Sequence, residues 1–121
     1  MNIETKLMGL DLPNPIVVGS SSLTNSVKNI KKCAEHGAGA VVLKSLYEEQ
    51  IVADLDKLME DDAMFQWYPE ALDFVNKIAK EEGLENYLNL IKNSKSEVDI
   101  PIIASINCYS PQEWTKFSTE L

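Results

Sequence analysis

The apolar residues of this chain fall into short continuous runs separated by longer stretches of helical spacing. Ile16-Val17-Val18, Ala40-Val41-Val42-Leu43 and Ile102-Ile103-Ala104-Ser105-Ile106 are runs without alternation. That is how strands of a parallel sheet covered on both faces read. Between the first two runs, Val27, Ile30 and Ala34 recur at i, i+3 and i+7, one face of a helix. Thr24, Asn25 and Ser26 offer N-caps for it, and Gly37 a stop. After Lys44 the pattern predicts a helix over 48–59 with Ile51, Leu55 and Leu58 on one face. A loop over 61–69 follows, carrying Met64, Phe65, Trp67 and Tyr68. Ala71, Phe74, Val75 and Ile78 predict another helix, Gly83 breaks it, and Leu84, Tyr87, Leu88 and Ile91 predict one more. Ser110-Pro111-Gln112-Glu113 then opens a last helix with an N-cap, a proline at the first helical position and a capping box. Its apolar face is Trp114, Phe117 and Leu121. Ahead of everything, Thr5 to Met8 and Leu10 to Leu12 around Gly9 read as a small hairpin.

Strand, helix, strand in that order, with each apolar run followed by helix, is an α/β arrangement. Two architectures satisfy it. One is a small three-stranded α/β layer; the other is a part of a (β/α)8 barrel, which needs eight such units and about 250 residues. The last helix, well capped and with no strand after it, favours the second.

Composition narrows the partners. The 121 residues fit one ordinary domain, and 45% hydrophobic content is enough for a packed core. A net charge of -8 repels phosphate backbones and anionic lipid, so nucleic acid and membrane surfaces are poor partners. No apolar run approaches the roughly 20 residues of a membrane span, and the N-terminus has no signal-peptide pattern. Cys33 and Cys108 match no metal spacing, and His36 is the one histidine, so no metal site is expected. A cytoplasmic protein with reduced thiols follows as the expectation. Cys33 reads as core filler and His36 as a helix-end group.

Candidate chemistry collects after the three strands. Lys44 stands at the end of the second run, where a strand lysine either marks the solvent boundary or serves a ligand. Gly19, Ser20 and Ser21 follow the first run, as a plain turn with a helix cap or as a small-residue floor for a flat ligand. Ser45 is a structural hydroxyl or a ligand contact. Asn107 ends the third run, as a turn asparagine or as an amide that donates and accepts.

The stretch Leu7-Met8-Gly9-Leu10-Asp11-Leu12-Pro13-Asn14-Pro15-Ile16-Val17-Val18-Gly19-Ser20-Ser21 resembles the opening of dihydroorotate dehydrogenases. Gly37-Ala38-Gly39-Ala40-Val41-Val42-Leu43-Lys44-Ser45 resembles their second strand. Leu46-Tyr47-Glu48-Glu49-Gln50-Ile51 and Ile100-Pro101-Ile102-Ile103-Ala104-Ser105-Ile106-Asn107 look like a dihydroorotate dehydrogenase-like subgroup. The resemblance runs along the whole chain in order. It implies an FMN-binding (β/α)8 barrel, of which residues 1–121 supply an N-terminal hairpin and about three βα units, truncated after the third strand and its helix. It implies an oxidoreductase of pyrimidine biosynthesis that passes hydride from a substrate C–H bond to flavin. Gly19, Ser20, Ser21, Lys44 and Asn107 are then the cofactor-binding residues, and Lys44 and Ser45 face a small-molecule substrate.

The catalytic base and the phosphate-binding glycines of that family follow later strands, so no catalytic residue is assigned here, and the chain alone is expected to be inactive. Two departures from the family pattern stand out. Cys108 stands where the subgroup often has glycine, a bulkier side chain that bears on the backbone path after Asn107, and Met64-Phe65-Gln66-Trp67-Tyr68-Pro69-Glu70 replaces the family's asparagine-containing segment, which weakens the substrate reading. The rival readings are a non-catalytic chain that self-associates through open sheet edges and another phosphate-ligand (β/α)8 enzyme.

Overall fold

The structure is a computed structural model that describes residues 3–47 and 69–121, with the backbone alone at 69–74 and 76. The helix expected over 48–59 and the loop expected over 61–69 lie outside the described residues, except for Pro69, which belongs to a helix; the side chains of Ala71 and Phe74 lie outside them too. The chain is mixed α/β and gathers into two compact units. One takes in the residues up to Ser45 together with Leu88–Ser105, the other Leu46–Tyr87 together with Ile106–Leu121.

The first unit opens with the expected hairpin. Strands β1 (Thr5–Leu7) and β2 (Leu10–Leu12) pair antiparallel with Leu7 opposite Leu10. The two-residue turn puts both Met8 (φ 50°) and Gly9 (φ 87°) in the left-handed region, as a turn matching strand twist demands. Glycine accepts that freely; methionine does so at a cost.

Three strands then form a parallel sheet. β3 (Val17–Val18), β4 (Ala40–Val42) and β6 (Ile102–Ile103) lie in the order β3-β4-β6. Val17 pairs with Ala40, and Val41 with Ile102. Burial is uneven. In and beside the central strand, Ala40, Val41 and Leu43 are fully buried, whereas Val17, Val18, Ile102 and Ile103 are half-buried and Ile16 is 62% exposed. The expectation of three buried strands therefore holds for the central one and is corrected for the outer two: an apolar run does not say whether its strand will be central or at an edge.

Helix α1 (Val27–Glu35) joins β3 to β4. Of its candidate caps Ser26 is the one used, its hydroxyl accepting from the Asn29 N–H. Ile30 is its fully buried residue. The helix ends in a Schellman arrangement: Ala38 N–H donates to the Cys33 carbonyl and Gly37 N–H to the Ala34 carbonyl, with Gly37 at φ 90°. His36 Nδ1 lies 2.8 Å from the Lys32 carbonyl. A carbonyl only accepts, so this nitrogen carries the proton and the imidazole finishes the helix.

Helix α2 (Pro69–Glu97) corrects the expectation of two helices broken at Gly83. An internal glycine costs about 1 kcal/mol of helix stability and does not by itself stop a helix. Leu84, Tyr87 and Ser94 are buried along it, all on the C-terminal side of Gly83.

The second unit has its own parallel pair, β5 (Leu46–Tyr47) with β7 (Ile106–Asn107), Leu46 opposite Ile106. Neither an added strand at Leu46 nor a division of the third apolar run is visible in the pattern. Three residues separate β4 from β5 and two separate β6 from β7, so the two ladders differ in register by one residue. Helix α3 (Pro111–Glu120) starts as expected: Pro111 opens it and the Ser110 hydroxyl accepts from Glu113 N–H. Of the expected apolar face, Phe117 is fully buried while Trp114 and Leu121 are about two-fifths exposed. The Glu113 carboxylate lies 3.7 Å from the Lys80 ammonium, both largely buried.

Candidate functional site at the ends of the parallel strands

The C-terminal ends of β3 and β4 carry four of the expected residues, Gly19, Ser20, Lys44 and Ser45, within the first unit. Gly19 and Ser20 follow β3 directly and are exposed. A Cβ built on Gly19 would meet nothing within 4 Å, so open space lies beside that backbone. Lys44 and Ser45 follow the buried Leu43 and are half-buried.

Backbone contacts fix this end. The Lys44 N–H donates to the Thr24 carbonyl (3.1 Å) and the Leu43 N–H to the Ile103 carbonyl (2.9 Å). Thr24 is fully buried and closes a 3₁₀ turn (Ser22–Thr24) with a reciprocal cap. The Ser21 hydroxyl accepts from Leu23 N–H, and the Thr24 hydroxyl accepts from Ser21 N–H and donates to the Ser21 carbonyl. Ser21 is thus occupied by the cap, the structural alternative its position offered. Among the described residues the Lys44 ammonium forms no ion pair or hydrogen bond. A cation on a half-buried residue, without an ion pair among the described residues, is available to a ligand.

Three hydroxyls run in a row across this end. The Ser45 N–H donates to Ser20 Oγ (2.9 Å), Ser20 Oγ lies 3.1 Å from Ser45 Oγ, and Ser45 Oγ lies 2.6 Å from Ser105 Oγ. Each serine comes from the segment after a different strand. Ser105 was not among the expected site residues. Its signal in the sequence is faint: a small hydroxyl residue just past an apolar strand, as at Ser45.

Asn107 belongs to the second unit, where it is exposed at the end of β7 opposite Tyr47. Cys108, next to it, is buried, and neither cysteine forms a disulfide. No cluster of three metal-ligating side chains occurs among the described residues, and no described helix is long and apolar enough to cross a membrane.

Small and hydroxylic residues, with a lysine that forms no ion pair among the described residues, thus stand at the C-terminal ends of adjacent parallel strands. The chain is similar to a dihydroorotate dehydrogenase. It is 31% identical over 125 aligned residues to the catalytic subunit of dihydroorotate dehydrogenase B (NAD(+)) from Thermoplasma volcanium. That match covers 99% of this chain and 37% of the relative, so the chain spans little more than a third of the relative's length. No family model matches.

Proposed function

We propose that this chain provides the ring-facing part of a flavin site in an FMN-dependent oxidoreductase of the dihydroorotate dehydrogenase-like class, built as part of a (β/α)8 barrel. The observation that carries the reading is the placement of Lys44 and the Ser20–Ser45–Ser105 row at the C-terminal ends of adjacent parallel strands, the functional face of such barrels. The similarity to a dihydroorotate dehydrogenase subunit supports the class.

The donor set fits the ring of a flavin. Open space beside Gly19 admits a flat group against the backbone. The hydroxyls of Ser20 and Ser45 both donate and accept, as ring nitrogens and carbonyls require. When bound, the flavin supplies the acceptor for an electron pair from a C–H bond of the substrate. The ammonium of Lys44 favours negative charge on the ring or on a substrate beside it. Asn107 is assigned to the same cofactor by the resemblance.

The test is the visible absorption spectrum of the purified protein after FMN is added and the sample desalted. Flavin bands in stoichiometric amount support the proposal. A colourless protein, repeated at millimolar FMN, overturns it. Self-association is the second reading, because among the described residues β3 and β6 each have a strand neighbour on one side only. Size-exclusion mass decides it: a monomer at all concentrations argues against edge pairing.

A further inference from the structure

A cleft of about 430 Å³ lies at the other end of the sheet, at the entry to β6. Leu10 from β2, Val98 just past α2, and Ile100 and Ile102 leading into the strand give it apolar walls. Two charges of opposite sign flank them, Lys95 in the last turn of α2 and Asp99 beyond its end. Both residues are exposed, and neither side chain has an ion pair or hydrogen bond among the described residues. They stand four positions apart, the spacing at which unlike charges meet along a helix. The helix ends at Glu97, before Asp99, and no bridge between the two forms within the chain. Two residues from Leu10, Met8 stands 96% exposed at the hairpin tip with φ 50°. Asparagine or glycine serves such a turn better than methionine, and the exposed side chain adds no packing to the chain that carries it.

A cleft, an exposed apolar side chain, a cation and an anion within one compact unit form a self-complementary set. Under a two-fold axis residue i of one copy meets residue j of the other, and j meets i. We propose that this surface is a contact between two copies of the chain: Lys95 of each copy pairs with Asp99 of the other, and Met8 of each enters the other's cleft. This contact takes up the self-association reading above and places it at the cleft rather than at the strand edges. It uses the N-terminal end of the sheet, so it leaves the residues assigned to flavin free. Charge complementarity selects a second copy as the occupant. A net charge of -8 repels copies in general. A contact between copies therefore needs opposite charges matched across it, and the free Lys95 and Asp99 supply them.

Sedimentation equilibrium of the full chain tests this, with two charge reversals. The wild-type chain is expected to dimerise. Lys95→Glu puts two acidic groups at the contact and Asp99→Lys two basic ones. Each variant alone is expected to dimerise at least about tenfold more weakly. Mixed in equal amounts, the two are expected to form a heterodimer of near wild-type affinity, because both ion pairs are then restored with their signs exchanged. Recovery in the mixture also shows that both variants are folded. Met8→Asn is expected to weaken the dimer about tenfold through lost apolar burial. At concentrations where the chain is monomeric it is expected to raise the urea midpoint, because asparagine suits the turn. A purely structural role for Met8 gives no such split.

A wild-type chain that stays monomeric up to about 1 mM overturns the contact and the self-association reading together. A dimer that both charge reversals leave intact keeps self-association and overturns this surface, returning the contact to the open edges of β3 and β6. Two weakened variants that do not recover on mixing overturn the reciprocal pairing. A dimer unchanged by Met8→Asn overturns the insertion of Met8.

Discussion

The two ends of the three-stranded parallel sheet are built on opposite principles. At the N-terminal end the backbone is packed close. The Asn14 side chain accepts from the Ile16 N–H (2.9 Å) and donates to the Gly37 carbonyl (3.0 Å), so one amide holds the entry to β3 against the end of α1. Gly39 packs so tightly there that an added Cβ would overlap the Asn14 carbonyl oxygen and stand 2.8 Å from its Oδ1. Ala38, Gly39 and Ala40 are all buried. At the C-terminal end Gly19 faces open space, Ser20 is exposed, and Lys44 has no partner among the described residues. Small residues occur at both ends in different surroundings, with close approach of backbone at one and open space at the other. In the barrel proposed above this would be the division between a face that stabilises and a face that binds.

The largest effect that would test this contrast is Gly39→Ala. One methyl group meets backbone that cannot swing aside, so a loss of about 1–3 kcal/mol is expected, read as a lowered midpoint in urea. A neutral result would show that the closed end yields more than its packing suggests. Asn14→Ala comes next. It removes both clamp bonds, and with the partners exposed the expected loss is about 1 kcal/mol.

The open end should respond in the other sense. Lys44→Met is expected to leave stability within about 0.5 kcal/mol while weakening flavin retention by about tenfold or more, since a charge-assisted contact is lost. Unchanged flavin binding would return Lys44 to a solvent-boundary role. Gly19→Ala is expected to be nearly neutral for stability because its methyl group enters open space, and to weaken flavin binding where the ring lies against that backbone. Performed beside Gly39→Ala, it is the sharpest form of the comparison, the same substitution with opposite outcomes.

The smallest effect concerns the flank of the first unit. The Lys31 ammonium is held above its ordinary pKa of 10.5 by the hydrogen bond from its Nζ to Glu97 (2.9 Å) and the charge of that carboxylate. A group whose pKa is raised on folding contributes its stability below the unfolded value and loses it as pH climbs through the folded one. Stability contributed by this pair is therefore expected to be constant near neutrality and to fall above pH 10.5. It is exposed enough that added salt should weaken it. A Lys31→Met variant that shows the same alkaline fall would assign the effect elsewhere.

Much of this molecule is legible along the chain. The hairpin around Gly9, the Ser26 cap, the Gly37 stop, the Ser110-Pro111 start and the three apolar runs all rest on local chemistry: a turn needing positive φ, an N–H needing an acceptor, a strand needing apolar residues. Lys44 and Ser20 could be singled out because each directly follows such a run. Ser105 could not, because its importance lies in a bond to a residue sixty positions away. Gly39 was read only as part of a motif, since a close approach to Asn14 is invisible without the sheet. The helix through Gly83 was misread for another reason: the local cost of an internal glycine, about 1 kcal/mol, does not by itself end a helix.

What the sequence by itself determined is the order of elements, their caps and turns, and the residue types waiting at each strand end, because these depend on neighbours within about four positions. What only the tertiary structure decided is which strand is central, where the ladders shift register by one residue, and which serines stand in one hydrogen-bonded row. Those depend on the pairing of segments far apart in the chain, and pairing is settled by the packing of the whole sheet rather than by any one run of residues.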